Sequence, residues 1–270
     1  MIYKTLPIQV ENYEATLTVY ALDNFEEFSS NRIRPTIVIC PGGGYHFTSK
    51  REGEAIAIQM NAAGIQAFVL EYSCAPAEYP IALLQLGKAI KTIREHANEW
   101  HVDTNRIVVA GFSAGGHLAA HFSENWAKEW VSERLQTTKE WIRPNGCLLS
   151  YPVITAGEYA HRGSMINLLG NQYSDEMLEV VSLEKHINQD MPPVFLWHTF
   201  TDETVPLENS LLFVQALRKK NISTEFHLYP SGTHGLSLAT KETDAGAGYS
   251  LSPICEGWIH LATDWIHRLS

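Results

Sequence analysis

Four consecutive apolar residues, Ile107-Val108-Val109-Ala110, run directly into Gly111-Phe112-Ser113-Ala114-Gly115, and the chain continues as Gly116-His117-Leu118-Ala119-Ala120-His121. A short continuous apolar run rich in β-branched residues reads as a fully buried strand. The alanines and leucine after the serine favour helix. A strand that becomes a helix across a single residue strains that residue's backbone and pushes its side chain out of the fold. Glycine is then required two positions to either side, because a Cβ there would collide with the neighbouring strand or helix. The pattern G-x-S-x-G at 111–115 therefore predicts an exposed hydroxyl at Ser113. The new helix aims its unpaired N–H groups and positive dipole end at the same place. A plain turn with a spare hydroxyl would carry the same five letters. The strand before and the helix after favour the first reading.

The rest of the chain alternates in the same way. Ile2–Ile8 and Glu14–Tyr20 show period-two alternation or β-branched enrichment and read as an antiparallel pair that turns near 11–13. A polar loop over Asp23–Arg34 leads to a buried strand, Pro35–Cys40, which stops at Pro41-Gly42-Gly43-Gly44-Tyr45. Helical spacing covers Arg51–Ala63, with Gly64 as a stop, and Ile65–Tyr72 is the next strand. A long amphipathic helix within Glu78–Trp100 turns Leu83, Leu86, Ala89, Ile90 and Ile93 inward. Beyond the Ser113 unit, strands are expected at Gly146–Ser150, Val194–His198 and Thr224–Tyr229, and helices at Pro206–Lys219 and Glu256–Leu269. This order predicts an α/β fold with a mostly parallel, eight-stranded sheet covered by helices on both faces, in one domain over 1–270. Val153–Asp190 lacks a strong period and holds one expected short helix, Asp175–Val181. It reads as a cap-like excursion over the C-terminal edge of the sheet, where ligands bind in open α/β folds. A disordered surface insertion is the other reading.

A serine hydroxyl is a poor nucleophile until an imidazole takes its proton, and the imidazole needs an acceptor that fixes its tautomer. Those partners are expected on loops at the same sheet edge. After the strand ending at His198, Thr199 to Pro206 forms a loop that opens a helix and carries Asp202 and Glu203. Asp202 is the preferred acid, since Glu203 suits a charge near a helix N-terminus. After the last strand, the loop Pro230 to Gly235 presents His234 beside a glycine. Gly43 and Gly44, with the N–H of Ala114, are the candidate donors to a developing oxyanion. A phosphate cradle at these glycines fails for want of a following Gly-Lys-Ser/Thr. Tyr45, His117 and Tyr151 are the candidate pocket-lining residues.

Composition narrows the partners. The formal charge of −10 and the lack of a basic stripe argue against nucleic acid. No apolar run approaches transmembrane length, and the N-terminus lacks the basic-then-apolar layout of a secretory signal. None of the four cysteines forms a C-x-x-C pair, which suits reduced thiols and a cytoplasmic protein. His117 and His121 stand four apart on one helical face but have no third ligand nearby, so no metal is expected. A small molecule with a carbonyl to attack is the expected partner, which the resemblance below makes an ester, and a homo-oligomer stays open.

The motifs, taken together, resemble the α/β-hydrolase superfamily, and within it small serine esterases near the hormone-sensitive-lipase branch, the acetyl-xylan-esterase-like carboxylesterase group. The resemblance rests on PGGGY at 41–45, REGE at 51–54, GFSAGGHLAA at 111–120, NLLG at 167–170, FLWHTFTDETVP at 195–206 and GTHGLSL at 232–238. The chain order Ser, Asp, His is also that of this superfamily. The resemblance implies cofactor-free hydrolysis of carboxylic esters, often of short acyl groups such as sugar acetates. Pro41 departs from the broader branch, which has histidine before its glycines; proline removes a donor and fixes φ, so the loop must be held differently. Amide cleavage of the arylformamidase kind uses the same parts. A catalytically inactive fold acting as a binding module is the alternative outside enzymes. A prolyl-type peptidase fits less well, since the chain has no room for a propeller.

Overall fold

In the computed structural model, residues 1–27 and 29–269 are described; Phe28, in the polar loop over 23–34, and Ser270 lie outside the described residues. β1 (Ile2–Val10) and β2 (Tyr13–Ala21) form an antiparallel hairpin. β3 (Arg34–Cys40), β4 (Gln66–Glu71), β5 (Val102–Phe112), β6 (Gly146–Ser150), β7 (Val194–Thr199) and β8 (Thr224–Tyr229) follow. The eight strands lie in the order β1-β2-β4-β3-β5-β6-β7-β8. β2 meets β4 antiparallel, and every pairing from β4 through β8 is parallel. Parallel strands need crossovers that lay helices on the sheet, which is why β3, β6 and β7 are buried at every position and show no polar alternation. β5 begins earlier than the apolar run suggests. Its first half, Val102 to Arg106, is polar, and Arg34 pairs with Val102 before a register shift.

Nine α-helices occur among the described residues: α1 (Glu54–Ala62), α2 (Ile81–Glu95), α3 (Ala114–Asn125), α4 (Glu129–Arg134), α5 (Lys139–Ile142), α6 (Arg162–Leu169), α7 (Asp175–Val180), α8 (Glu208–Lys219) and α9 (Trp258–Arg268). The period-two alternation of the strands sorts the core into two layers. Val38, Cys40 and Val109 pack with Leu83, Leu86 and Ile90 of α2, Leu118 and Phe122 of α3 and Phe213 of α8. Ile37, Ile39 and Val108 pack with Ile56 and Met60 of α1 and Trp258, Ala262 and Ile266 of α9. None of these helices is long and apolar enough to cross a membrane.

Two local differences from the sequence reading bear on the site. The stretch expected as one helix over 51–63 is broken at Gly53, with a 3-10 turn over Lys50–Glu52 before α1. The break turns Glu52 inward, where it is buried. The 153–190 segment carries α6 as well as α7, and it is packed: Val153, Ile154, Met165, Leu169, Val181 and Leu183 are fully buried. α6 escaped the sequence reading because its N-cap is an imidazole, His161, which accepts from the Ser164 N–H. Ser, Thr, Asp and Asn are the usual signals for that position.

Candidate active site

Ser113 sits between β5 and α3 with φ 53° and ψ −118°, a conformation that costs energy in any residue with a Cβ. Its N–H is held by the Ser150 carbonyl at 3.0 Å. The tightness of the turn is visible at its glycines. A Cβ on Gly111 would lie 2.0 Å from the Gly115 carbonyl oxygen, and one on Gly115 would lie 2.1 Å from that of Cys40.

The parallel sheet brings the loops after β5, β7 and β8 to one edge. Ser113 Oγ lies 2.8 Å from His234 Nε2, and His234 Nδ1 lies 2.7 Å from Asp202 Oδ2. A carboxylate only accepts, so Nδ1 carries the proton and Nε2 of the neutral ring is left to accept from the serine hydroxyl. Asp202 Oδ1 accepts the Thr204 and Val205 N–H groups at 3.0 Å each, and Oδ2 also faces His198 Nε2 at 3.2 Å. Burial by itself would raise the Asp202 carboxyl. The hydrogen bonds from His198, His234 and Val205 outweigh burial and hold it well below the usual carboxylate range. Glu203 is exposed. His198 was missed by sequence reasoning, although its spacing of four from Asp202 was visible. Its Nε2–H points at Asp202 and the Val205 carbonyl, and its Nδ1 accepts from Ser210 Oγ at 2.6 Å.

The glycine loop after β3 lies across from the imidazole. Gly43 (φ 130°) and Gly44 (φ 63°) occupy backbone conformations that favour glycine, and a Cβ on Gly43 would lie 2.0 Å from the Phe47 carbonyl oxygen. Their N–H groups take no partner among the described residues. Ala114 is the first residue of α3, where a helix N–H has no intrahelical acceptor. The N–H of Gly42 is held instead by Glu52 Oε2 at 2.7 Å. Glu52 Oε1 accepts from the Tyr151 hydroxyl at 2.7 Å, which in turn accepts the Ser237 N–H at 2.8 Å. The Tyr151 ring meets His234 edge-on at 5.1 Å. Burial raises the Glu52 carboxyl above its ordinary value, and the bonds from Tyr151 and Gly42 offset part of that.

Three expected pocket residues stand behind the wall instead of on it. A cavity of about 490 Å³ is lined by Gly43, Gly44, Phe47, Arg51, Ser113, His161, Asn167, Thr204 and His234, without Tyr45, His117 or Tyr151. All three are buried. Positive φ at Tyr45 (57°) and Tyr151 (38°) goes with these inward placements. The Tyr45 hydroxyl lies 2.9 Å from His117 Nδ1, and His117 Nε2 lies 2.9 Å from the Val181 carbonyl, so His117 clamps the glycine loop to the excursion. Burial pushes its imidazole down to about 4. The His117 and His121 rings are 5.4 Å apart, and no cluster of three potential metal ligands occurs among the described residues. A larger cavity, about 790 Å³, lies at the opposite strand ends beside Asn145, Pro193 and Thr224 and touches none of these groups.

A mostly parallel sheet of this order, with the serine turn after β5 and the acid and histidine loops after β7 and β8, is the α/β-hydrolase fold. Within that superfamily the chain belongs to the BD-FAE family, whose model matches residues 22–217. It is similar to a carboxylesterase from Lactobacillus plantarum, with 32% identity, a TM-score of 0.87, and coverage of 99% of this chain and 97% of that one. An acetyl ester-xyloside bifunctional hydrolase from Caldicellulosiruptor lactoaceticus shares 33% identity at a TM-score of 0.83, over 98% of this chain and 95% of that one. Endo-1,4-beta-xylanase B of Butyrivibrio fibrisolvens is 39% identical over 221 residues, 79% of this chain, and the match spans 34% of that relative's own length.

Proposed function

We propose that this chain is a serine carboxylic ester hydrolase that removes short, acetate-type acyl groups from esters, acetylated sugars among them. Ser113 Oγ attacks the ester carbonyl while His234 Nε2 takes its proton. Asp202 holds the tautomer and stabilises the imidazolium that forms. Negative charge on the carbonyl oxygen is met by the N–H groups of Gly43, Gly44 and Ala114. A hole of this kind is worth several kcal/mol because its donors are fixed before charge develops. His234 then returns the proton to the leaving alcohol, and the acyl-enzyme is hydrolysed by water through the same steps in reverse.

The observation that carries this reading is the continuous hydrogen-bond chain from Ser113 through His234 to Asp202, at 2.8 and 2.7 Å. The printed names of the relatives support an ester substrate. Within a mostly apolar wall, Arg51, His161, Asn167 and Thr204 are polar side chains that would meet a hydroxyl-rich alcohol. The short acyl limit rests on Phe47 and on Gly163 and Asn167 of α6, which line the space around Ser113, since Tyr45, His117 and Tyr151 do not face it. Each buried methylene gains about 0.8 kcal/mol only until the acyl chain meets a wall. The test is kcat/KM on nitrophenyl esters from acetate to decanoate, beside acetylated xylose and N-formylkynurenine. Acetate to butyrate should be favoured, with a steep fall beyond about six carbons. Octanoate as the best substrate would replace this reading with a lipase, and preference for the formamide would replace it with an amidase.

A further inference from the structure

His161 lies outside the catalytic chain but within the same cavity, half-buried at the start of α6. Its Nδ1 accepts the Ser164 backbone N–H at 3.3 Å and lies 2.8 Å from Ser164 Oγ. A ring nitrogen that accepts from a backbone N–H carries no proton itself, so in the neutral ring the proton is on Nε2. Ser164 is fully buried, and its hydroxyl proton is directed at the same Nδ1. Burial, and then the neighbouring His234, push the His161 imidazole below its usual value, which keeps the ring neutral at pH 7. Nε2–H has no partner among the described residues. The ring is also fixed relative to the glycine loop. A Cβ on Gly44 would lie 4.0 Å from His161 Cε1, and Asn167, further along α6, donates Nδ2–H to the Gly44 carbonyl at 2.9 Å.

A neutral imidazole held in one tautomer, with an unpartnered N–H and a place on the wall of the cavity that holds Ser113, is a fixed hydrogen-bond donor for an oxygen of a bound molecule. The oxyanion already has backbone donors in Gly43, Gly44 and Ala114. We propose that His161 is a substrate-binding residue whose Nε2–H donates to a hydroxyl or ether oxygen on the alcohol portion of the ester, so that the enzyme selects esters of sugars and similar polyols over esters of plain aryl or alkyl alcohols. This rests on the ester hydrolase reading above. An alcohol without a nearby acceptor leaves the N–H unpaired on substrate binding, and an unpaired donor is costly where water is displaced.

The test compares two acetate esters that differ only in the alcohol, acetylated xylose and 4-nitrophenyl acetate, in the wild type, His161→Phe and His161→Gln. His161→Phe should lower the ratio of kcat/KM for the sugar acetate to that for the nitrophenyl ester by about fivefold to twentyfold, the range of one lost hydrogen bond with its partner stranded. His161→Gln loses the ring but keeps an N–H donor, and should recover part of the ratio. Proportional losses on both esters in both variants would mean that His161 only caps α6, and would overturn the proposal. An unchanged ratio would overturn it as well. A wild type that cleaves neither ester would instead overturn the esterase reading, which separates the two failures.

Discussion

Replacing Gly111 with alanine tests the turn that presents Ser113. The new Cβ would stand 2.0 Å from the Gly115 carbonyl oxygen, 2.3 Å from its carbon and 2.5 Å from the Gly116 nitrogen. All three are backbone atoms of the first turn of α3, so no rotamer change relieves the clash. Restoring ordinary van der Waals separation moves that turn, and Ser113 and the Ala114 N–H with it, by on the order of 1 Å. Overpacking of this kind costs at least about 1–3 kcal/mol of stability. A displacement of about 1 Å at the reacting groups costs on the order of 100-fold in rate. Gly64→Ala is the reference. Its φ is +77° but no heavy atom lies within 4 Å of the added Cβ, so only the left-handed penalty of about 1–2 kcal/mol remains. Urea unfolding gives the stabilities, and initial rates on 4-nitrophenyl acetate give the activities. Gly64→Ala should lose stability alone, whereas Gly111→Ala should lose both. A Gly111→Ala protein with wild-type midpoint and rate would refute this account of the turn.

Asp202→Asn should lower kcat by roughly 10³- to 10⁴-fold, because the amide no longer holds the productive His234 tautomer, while Glu203→Gln should stay within about twofold. The reverse ranking in steady-state rates would move the acid to Glu203. Asp202 is held below its ordinary 3.8, so its charged form stabilises the fold above that pH and the contribution is lost as pH falls below it. The stability gap between wild type and Asp202→Asn should therefore narrow on acidification in urea titrations, and a widening gap would contradict the assignment. Glu52 has the opposite sign. Its folded value is raised above 4.5, so ionisation destabilises the fold as pH rises, and Glu52→Gln should gain stability relative to wild type as pH rises above 4.5. A relative loss above that pH would show that the hydrogen bonds to Gly42 and Tyr151 outweigh burial.

Much of the site was legible because each catalytic candidate sits on a short loop directly after an apolar strand, where local composition speaks for itself. Ser113, Asp202 and His234 all have that context, and the sheet edge then brings them together. What could not be read depends on backbone turns that leave no periodic trace. Tyr45 and Tyr151 neighbour the site in sequence, yet each has positive φ and sits in the core. Glu52 falls within the helix expected over 51–63, and only the break at Gly53 turns it inward. α6 was hidden by a histidine cap and a weak apolar stripe, and with it His161. The first half of β5, Val102 to Arg106, carries no strand signal because the continuous apolar run begins only at Ile107. His198 was visible as a strand end, but its bond to Asp202 follows only from the loop closing back on it.

The central claim is that Ser113 is the nucleophile, and a covalent trap reads it directly. Wild-type protein incubated with diethyl 4-nitrophenyl phosphate should release one nitrophenol per chain, lose its esterase activity, and carry a single diethylphosphoryl group on the peptide containing Ser113, as mass spectrometry would locate it. Ser113→Ala should remain folded, unlabelled and inactive, since loss of a nucleophile costs several orders of magnitude. A label on any other residue, or a folded Ser113→Ala protein that keeps more than about 1% of the wild-type kcat, would contradict the account.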